Sequence, residues 1–204
     1  MVKTVKNERT IPFFKSTIDQ EEKDAVTAVL NQEISSVSRV EELEKEIGDF
    51  VGASHTIATN NATSALHLAL SAMELKRADK VIMSVNSFVN LPETVRHFDA
   101  EPIFIDISSD GFNIDINKLE EYLEANNSKK LRALMLTFVA GGIPDLDKIY
   151  AIAKKYDLLV IEDATSALGA MYKDEMVGSL AADMTIFSTN YSNSKTAISR
   201  GGFI

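Results

Sequence analysis

Two kinds of apolar pattern alternate along the chain from about residue 20 onwards. Short runs of apolar and β-branched residues are typical of buried strands, and apolar residues three to four positions apart are typical of amphipathic helices. Strands are predicted at residues 55–59, 80–83, 102–105, 131–138, 158–162 and 184–187, and helices at 62–72, 91–98, 117–124 and 146–156. Two further helices precede them, capped by Asp19 and Ser38. The alternation predicts one α/β domain with three layers, in which helices cover both faces of a mainly parallel central sheet.

The last four residues, Gly201 to Ile204, have the pattern of a turn that leads into another strand. An apolar strand at this place is expected if the chain is a fragment of a longer protein, or if another chain completes an open sheet edge. We favour the fragment, so the domain of residues 1–204 is expected to be truncated.

Composition narrows the possible classes of protein. With 204 residues, of which 45% are hydrophobic and 25% charged, the chain can bury a core without metals or disulfides. It has no cysteine, which excludes a thiol nucleophile and fits a cytoplasmic location. The net charge of -9 and the scattered basic residues argue against nucleic acid as a partner. Neither a membrane span nor a metal site is expected, since long apolar runs and clustered histidines are both absent from the sequence.

The clearest candidate for chemistry is the apolar run at residues 158–164, which contains an acid near its end. Ligands of open α/β sheets bind beyond the C-terminal ends of the strands, so Asp163 is placed to meet a cofactor. Lys195 follows later, after the pair Phe187 and Ser188. An acid at a strand end and a later lysine suggest pyridoxal phosphate (PLP) chemistry, in which the acid pairs with the pyridinium nitrogen and the lysine forms a Schiff base. The alternative is that Asp163 only caps the next turn.

A second candidate is the polar turn at Asn60 and Asn61, between a predicted strand and a helix of small residues. The backbone N–H groups of Ala62 and Thr63 would be unpaired at the helix N-terminus, and the Thr63 hydroxyl adds a donor, so a phosphate could bind there. The alternative is ordinary capping by one of the asparagines. Phe88 follows the next predicted strand, where it could stack on a flat ring at the same sheet edge or belong to the core.

Seven segments, in this order and spacing, resemble the DegT/DnrJ/EryC1/StrS aminotransferases over nearly the whole chain. They are residues 11–13, 60–70, 87–89, 101–106, 160–170, 177–179 and 187–188. The resemblance implies the large domain of an aspartate-aminotransferase-like fold with PLP as cofactor. It also implies transfer of an amino group from glutamate or glutamine to a keto-sugar, usually nucleotide-linked, in a homodimer whose active site lies at the interface.

The resemblance assigns cofactor-binding roles to five residues other than the acid and the lysine. Ala62, Thr63 and Ser188 would bind the phosphate. Phe88 would stack on the ring face, and Ser166 would lie beside the ring, where members of the family commonly carry glutamine or histidine.

Two residues would be catalytic by the same resemblance. Asp163 would keep the pyridinium nitrogen protonated, and Lys195 would bind the cofactor covalently and move a proton between the substrate and the cofactor. The family places its lysine at the position that Asn193 occupies here, two residues before Lys195. An insertion would restore the register.

Without such an insertion the chain has no Schiff-base lysine. The alternative hypothesis is therefore an inactive homologue or truncated fragment that acts as a binding or assembly subunit. A sugar dehydratase of the same fold would need a histidine in place of the lysine, and no histidine follows His97.

Overall fold

The computed structural model describes residues 18–31, 36–189 and 201–204. Its helices are α1 (Gln20–Leu30), α2 (Ser36–Val51), α3 (Ala62–Ala72), α4 (Asn90–Arg96), α5 (Ile116–Asn126) and α6 (Leu146–Lys155). Its strands are β1 (Ala58–Thr59), β2 (Lys80–Ser84), β3 (Glu101–Ile105), β4 (Leu131–Thr137), β5 (Leu159–Asp163), β6 (Met171–Tyr172), β7 (Glu175–Met176), β8 (Met184–Ser188) and β9 (Gly202–Phe203). A 3-10 turn spans Val139–Gly141. Each predicted strand and helix is present, and its ends differ from the prediction by at most three residues.

The central sheet has seven strands in the order β1-β9-β8-β5-β4-β2-β3. The five strands from β8 to β3 are parallel neighbours, and β9 pairs antiparallel with both β8 and β1. This confirms the predicted α/β fold with a mainly parallel sheet. Because β9 lies between two strands, it is not an open edge, and the idea that another chain completes an edge there is wrong. Truncation of the domain stays a prediction.

Alternate residues of the central strands pack into two separate cores, one on each face of the sheet. On β4, Met135 packs in the core that also contains Leu66 of α3 and Val95 of α4. Its neighbour Leu134 packs in the core that contains Leu123 of α5 and residues of α6. The period of two along a strand therefore places α3 and α4 on one face and α5 and α6 on the other, as the three-layer prediction requires.

The first helix begins as its sequence predicts. The Asp19 side chain accepts the backbone N–H of Glu21 at 2.9 Å, and the Glu22 carboxylate accepts the backbone N–H of Asp19 at 2.7 Å, which is a capping box. Helix α2 begins at Ser36, so the predicted cap Ser38 lies inside its first turn.

In the ranges that the structure covers, no helix has both the length and the apolar character needed to cross a bilayer.

Candidate functional site

A pocket of about 830 Å³ lies beyond the C-terminal ends of β4, β5 and β8. The N-terminus of α3 and the loop between β2 and α4 form its other walls. In the sheet, β3 lies on one side of β2, and β4, the next strand along the chain, lies on the other side. The strand order therefore reverses between β2 and β4, beside this pocket. Ligands of α/β proteins bind at such reversals, and the volume suits a small organic cofactor.

Six of the seven residues predicted to bind the cofactor line this one pocket. They are Ala62, Thr63, Phe88, Asp163, Ser166 and Ser188. The seventh, Lys195, lies outside the described residues, and so does Asn193. The structure thus brings together residues from four separate stretches of sequence, although it leaves the position of the lysine undescribed.

The start of α3 presents two unpaired backbone donors to the pocket. The Asn61 side-chain oxygen accepts the N–H of Ser64 at 2.9 Å, and the Asn61 backbone carbonyl accepts the N–H of Ala65 at 3.2 Å. Capping by Asn61 is therefore confirmed, but it does not use every donor. The N–H groups of Ala62 and Thr63 have no acceptor within the part of the chain that the structure describes. Such donors, together with the helix dipole, favour an anion at this place.

Strand β9 packs closely against the same helix start. A Cβ atom built on Gly202 would lie 2.5 Å from the backbone nitrogen of Ala62 and 2.5 Å from the carbonyl carbon of Asn61. Only glycine permits this approach of two backbones. The sequence pattern predicts a turn at this glycine, whereas in the structure it lies in a strand and permits close packing against the helix that borders the pocket.

Asp163 ends β5 with its carboxylate almost fully buried, and only 6% of the residue is exposed. It accepts the backbone N–H of Thr165 at 3.3 Å, so capping of the next turn is also seen. Burial raises the pKa of the Asp163 carboxyl, and the hydrogen bonds from Thr165 only partly oppose this rise. Among the residues described, no cationic side chain forms an ion pair with Asp163. A buried carboxylate without a cation suits a ligand that brings a positively charged N–H group.

Phe88 stands at the pocket wall with 70% of its surface exposed. The alternative prediction, that it belongs to the core, is wrong. Ser166 is also exposed on this wall, whereas Ser188, at the end of β8, is 5% exposed. An exposed ring and a buried acid thus line the same pocket, and a heteroaromatic ligand could stack on the Phe88 ring.

Two further polar side chains of the pocket were missed by the sequence analysis. The Asn90 amide nitrogen donates to the Thr63 hydroxyl at 3.0 Å, while the Asn90 amide oxygen is buried without a partner among the described residues. The hydroxyl oxygen of Thr137 is likewise buried without a hydrogen-bond partner among the described residues. Thr137 lies opposite Asp163 in the register of β4 and β5. Both residues line the pocket. In the sequence, Thr137 is only a polar residue near the end of a predicted strand, and Asn90 is only a polar residue before a predicted helix.

A buried polar network adjoins the site on β5. Glu162 is fully buried, and it accepts hydrogen bonds from the Tyr150 hydroxyl on α6 and, at 2.9 Å, from the Thr185 hydroxyl on β8. Burial raises the pKa of the Glu162 carboxyl, and the two hydroxyl donors oppose the rise. The network joins β5 to α6 and β8, and so it fixes the strand that carries Asp163.

These features together fit PLP. Unpaired N–H groups and the Thr63 hydroxyl suit its phosphate, the buried acid suits its ring nitrogen, and the exposed Phe88 suits its ring face. Described residues include no cluster of three potential metal ligands among His, Cys, Asp and Glu.

Comparison with known proteins identifies relatives over most of the chain. The profile of the DegT/DnrJ/EryC1/StrS aminotransferase family matches residues 16–204. The spore coat polysaccharide biosynthesis protein SpsC of Bacillus subtilis strain 168 is 36% identical over 200 residues, which are 98% of this chain and 50% of SpsC. GDP-perosamine synthase of Caulobacter vibrioides is 37% identical over 189 residues, which are 92% of this chain and 49% of that protein. The chain thus spans about half the length of these curated relatives.

Solved structures agree with the fold. An aminotransferase from Psychrobacter cryohalolentis superimposes with a TM-score of 0.84 at 28% identity, covering 94% of this chain and 48% of that one. Spr1654 from Streptococcus pneumoniae, in its PLP form, gives a TM-score of 0.82 at 26% identity, covering 95% of this chain and 52% of that one.

Proposed function

The chain belongs to the DegT/DnrJ/EryC1/StrS aminotransferase family, and we propose that it forms the PLP-binding large domain of a sugar aminotransferase. The substrates would be an amino-acid donor, glutamate or glutamine, and a nucleotide-linked keto-sugar. Support for the sugar comes from the names of relatives, which include a GDP-perosamine synthase and a transaminase of a UDP-linked amino sugar. The observation that carries the proposal is one pocket that joins a helix start suited to an anion to a buried acid, which forms no ion pair with any residue that the structure describes.

At one end of the pocket, the backbone N–H groups of Ala62 and Thr63 and the hydroxyls of Thr63 and Ser188 would bind the phosphate. Donors held in place by a helix bind an anion with little loss of conformational entropy. The phosphate would therefore fix the position of the cofactor while its other end takes part in the reaction.

At the other end, Asp163 would accept a hydrogen bond from the protonated ring nitrogen. Its negative charge is poorly solvated, so it holds that proton more strongly than an exposed carboxylate would. Bound PLP supplies an electron-withdrawing ring, which stabilises the negative charge that forms when a substrate carbon loses its proton. Phe88 would cover one face of the ring and exclude water from it, and Ser166 would lie beside the ring. Lys195 is proposed to hold the cofactor through its amine and to move the substrate proton.

The first test is to locate the lysine. The purified chain is mixed with PLP, reduced with borohydride so that any link between a lysine and the cofactor becomes permanent, and digested for mass spectrometry. We expect the modified peptide to contain Lys195. Lys195→Ala should abolish the modification, and the control Asn193→Ala should retain it. Modification of another lysine alone would show that Lys195 is the wrong residue.

The second test is the half-reaction. Protein loaded with PLP is mixed with glutamate, and formation of pyridoxamine phosphate is followed by absorbance. We expect conversion that requires Asp163 and Lys195. Reversible binding of the cofactor without conversion would instead support the alternative of an inactive homologue that binds without catalysis.

We further propose a homodimer with the pocket at its interface. Four large apolar side chains near the pocket are exposed by 55 to 70%, namely Val85, Phe88, Val89 and Phe112. Asn86 ties the segment of Phe112 to this rim, since its amide donates to the Phe112 carbonyl at 3.1 Å. A second copy would cover this apolar rim. Light scattering should give twice the mass of one chain, and Phe112→Glu should lower this mass.

Location in the cytoplasm stays a prediction, which cell fractionation would test.

A further inference from the structure

We propose that Asn90 is a positioning residue, whose side-chain amide turns the hydroxyl proton of Thr63 towards the phosphate of the cofactor. The inference rests on the proposed function, because Thr63 is one of the residues that would bind this phosphate. It concerns a contact between two helix starts that lie far apart in the sequence.

The contact is well defined. Asn90 is the first residue of α4 and Thr63 the second of α3, and the Asn90 amide nitrogen lies 3.0 Å from the Thr63 hydroxyl oxygen. Both residues line the pocket. The Asn90 backbone is held by the Thr94 hydroxyl, which donates to the Asn90 carbonyl at 2.6 Å, and by the burial of Leu91. The amide is therefore anchored where it meets the hydroxyl.

The chemistry of the two groups sets the direction of this hydrogen bond. An amide nitrogen can only donate, so the Thr63 hydroxyl must accept. A hydroxyl that accepts on one lone pair still has its own proton to give. No group in the described part of the chain accepts that proton. The proton therefore joins the free N–H groups of Ala62 and Thr63 as a third donor at the same place.

The other half of the amide shows that stability alone does not explain Asn90. Its oxygen is buried and has no partner in the portion of the chain described. Leaving a buried acceptor unpaired opposes folding, and an apolar side chain at this position would avoid the loss. The amide thus opposes folding, and the hydroxyl group that it orients lies on a residue that lines the pocket.

The turn before α4 also holds Phe88. The Phe88 carbonyl accepts the N–H of Leu91 at 3.0 Å, so the same turn positions the aromatic ring at the pocket wall.

The test compares two probes that differ only in the phosphate: pyridoxamine phosphate and pyridoxamine. Neither needs a covalent link, so the outcome does not depend on the lysine. Affinities are measured by fluorescence quenching for the wild type, Asn90→Ala, Thr63→Val and the double variant. We expect Asn90→Ala to weaken binding of pyridoxamine phosphate about 5-fold, as for the loss of one neutral hydrogen bond, and to leave pyridoxamine unchanged.

The double variant separates orientation from a general effect on folding. If Asn90 acts through the Thr63 hydroxyl, then Asn90→Ala should cause no further loss once Thr63 is valine. Asn90→Asp keeps the size of the side chain but makes it an acceptor, so it would capture the Thr63 proton and repel the phosphate. We expect Asn90→Asp to weaken the binding of pyridoxamine phosphate more than Asn90→Ala does. It also provides the test if the alanine variant does not fold.

Three outcomes would overturn the inference. Equal losses for both probes, or losses that add in the double variant, would show that Asn90 is merely structural. Asn90→Asp binding as tightly as the wild type would show that the direction of the hydrogen bond is irrelevant. A wild-type chain that binds neither probe would overturn the proposed function and this inference with it, so failure at the two levels is distinguishable.

Discussion

Replacing Asp163 by asparagine should stabilise the cofactor-free protein and weaken the binding of cofactor. The wild-type Asp163 is 6% exposed, and its carboxylate accepts a long hydrogen bond of 3.3 Å from the Thr165 backbone N–H. Asparagine has nearly the same shape, and its oxygen can accept the same N–H without a buried charge. Because an unpaired buried ion costs several kcal/mol before local hydrogen bonds are counted, we expect a gain of about 1–2 kcal/mol, or roughly 2–8 °C in Tm.

The dependence on pH has a definite sign. Burial raises the pKa of Asp163 in the folded state above its unfolded value of about 3.9. The neutral form therefore favours folding, and this contribution is complete below the unfolded pKa and is lost as the pH rises through the folded pKa. The stability advantage of Asp163→Asn should be largest near pH 7 and should shrink as the pH falls towards 4. Glu162 is present in both proteins, so its own titration cancels to first order in the difference.

Cofactor binding should change in the opposite direction. A hydrogen bond to a charged group is worth roughly 1.5–3 kcal/mol, so the Kd for pyridoxamine phosphate should rise roughly 10- to 150-fold. Thermal unfolding between pH 4.5 and 8 and fluorescence titration measure the two effects. The exposed Asp174→Asn is the matched control and should change neither quantity. A lower Tm at pH 7, or an unchanged Kd, would refute the reasoning.

Three further substitutions test the packing around the pocket. Gly202→Ala should place a methyl group against the backbone of Ala62, lower stability by about 1–3 kcal/mol, and weaken phosphate binding. Urea unfolding and titration with pyridoxamine phosphate would measure these two effects. An unchanged midpoint of urea unfolding would contradict the close approach of the two backbones. The buried hydroxyl of Thr137 has no partner among the residues that the structure describes, so Thr137→Val should stabilise the cofactor-free chain by about 1 kcal/mol. A lower Tm would show that the hydroxyl has a partner in solution. Tyr150→Phe leaves buried Glu162 with one hydrogen-bond donor fewer and should lower stability by about 1.5–3 kcal/mol at neutral pH. The loss should be smaller at low pH, where Glu162 is protonated. An equal loss of stability at both pH values would argue against a charged Glu162.

Much of the fold and part of the site could be predicted from the sequence. Strands such as β5 and helices such as α3 were found because burial on both faces demands a continuous apolar run and burial on one face demands a helical period. Since parallel strands end at the same edge of a sheet, the position of Asp163 at the end of its strand was also readable. Local capping by Asp19 and Asn61 could be read from single residues, because these bonds span only a few positions.

Only the tertiary structure decided which distant residues meet. Asn90 reaches Thr63 because α4 packs beside α3, and Tyr150 reaches Glu162 because α6 covers the other face of β5. The place of β9 inside the sheet depends on its pairing with β1, which is far from it in the sequence. The need for glycine at position 202 follows from that packing. Hydrophobic periodicity indicates whether a side chain is buried, but it does not indicate which residue that side chain contacts. The sequence alone therefore determined the main helices and strands and the acid at a strand end, while packing in three dimensions determined how the donors around the pocket are oriented.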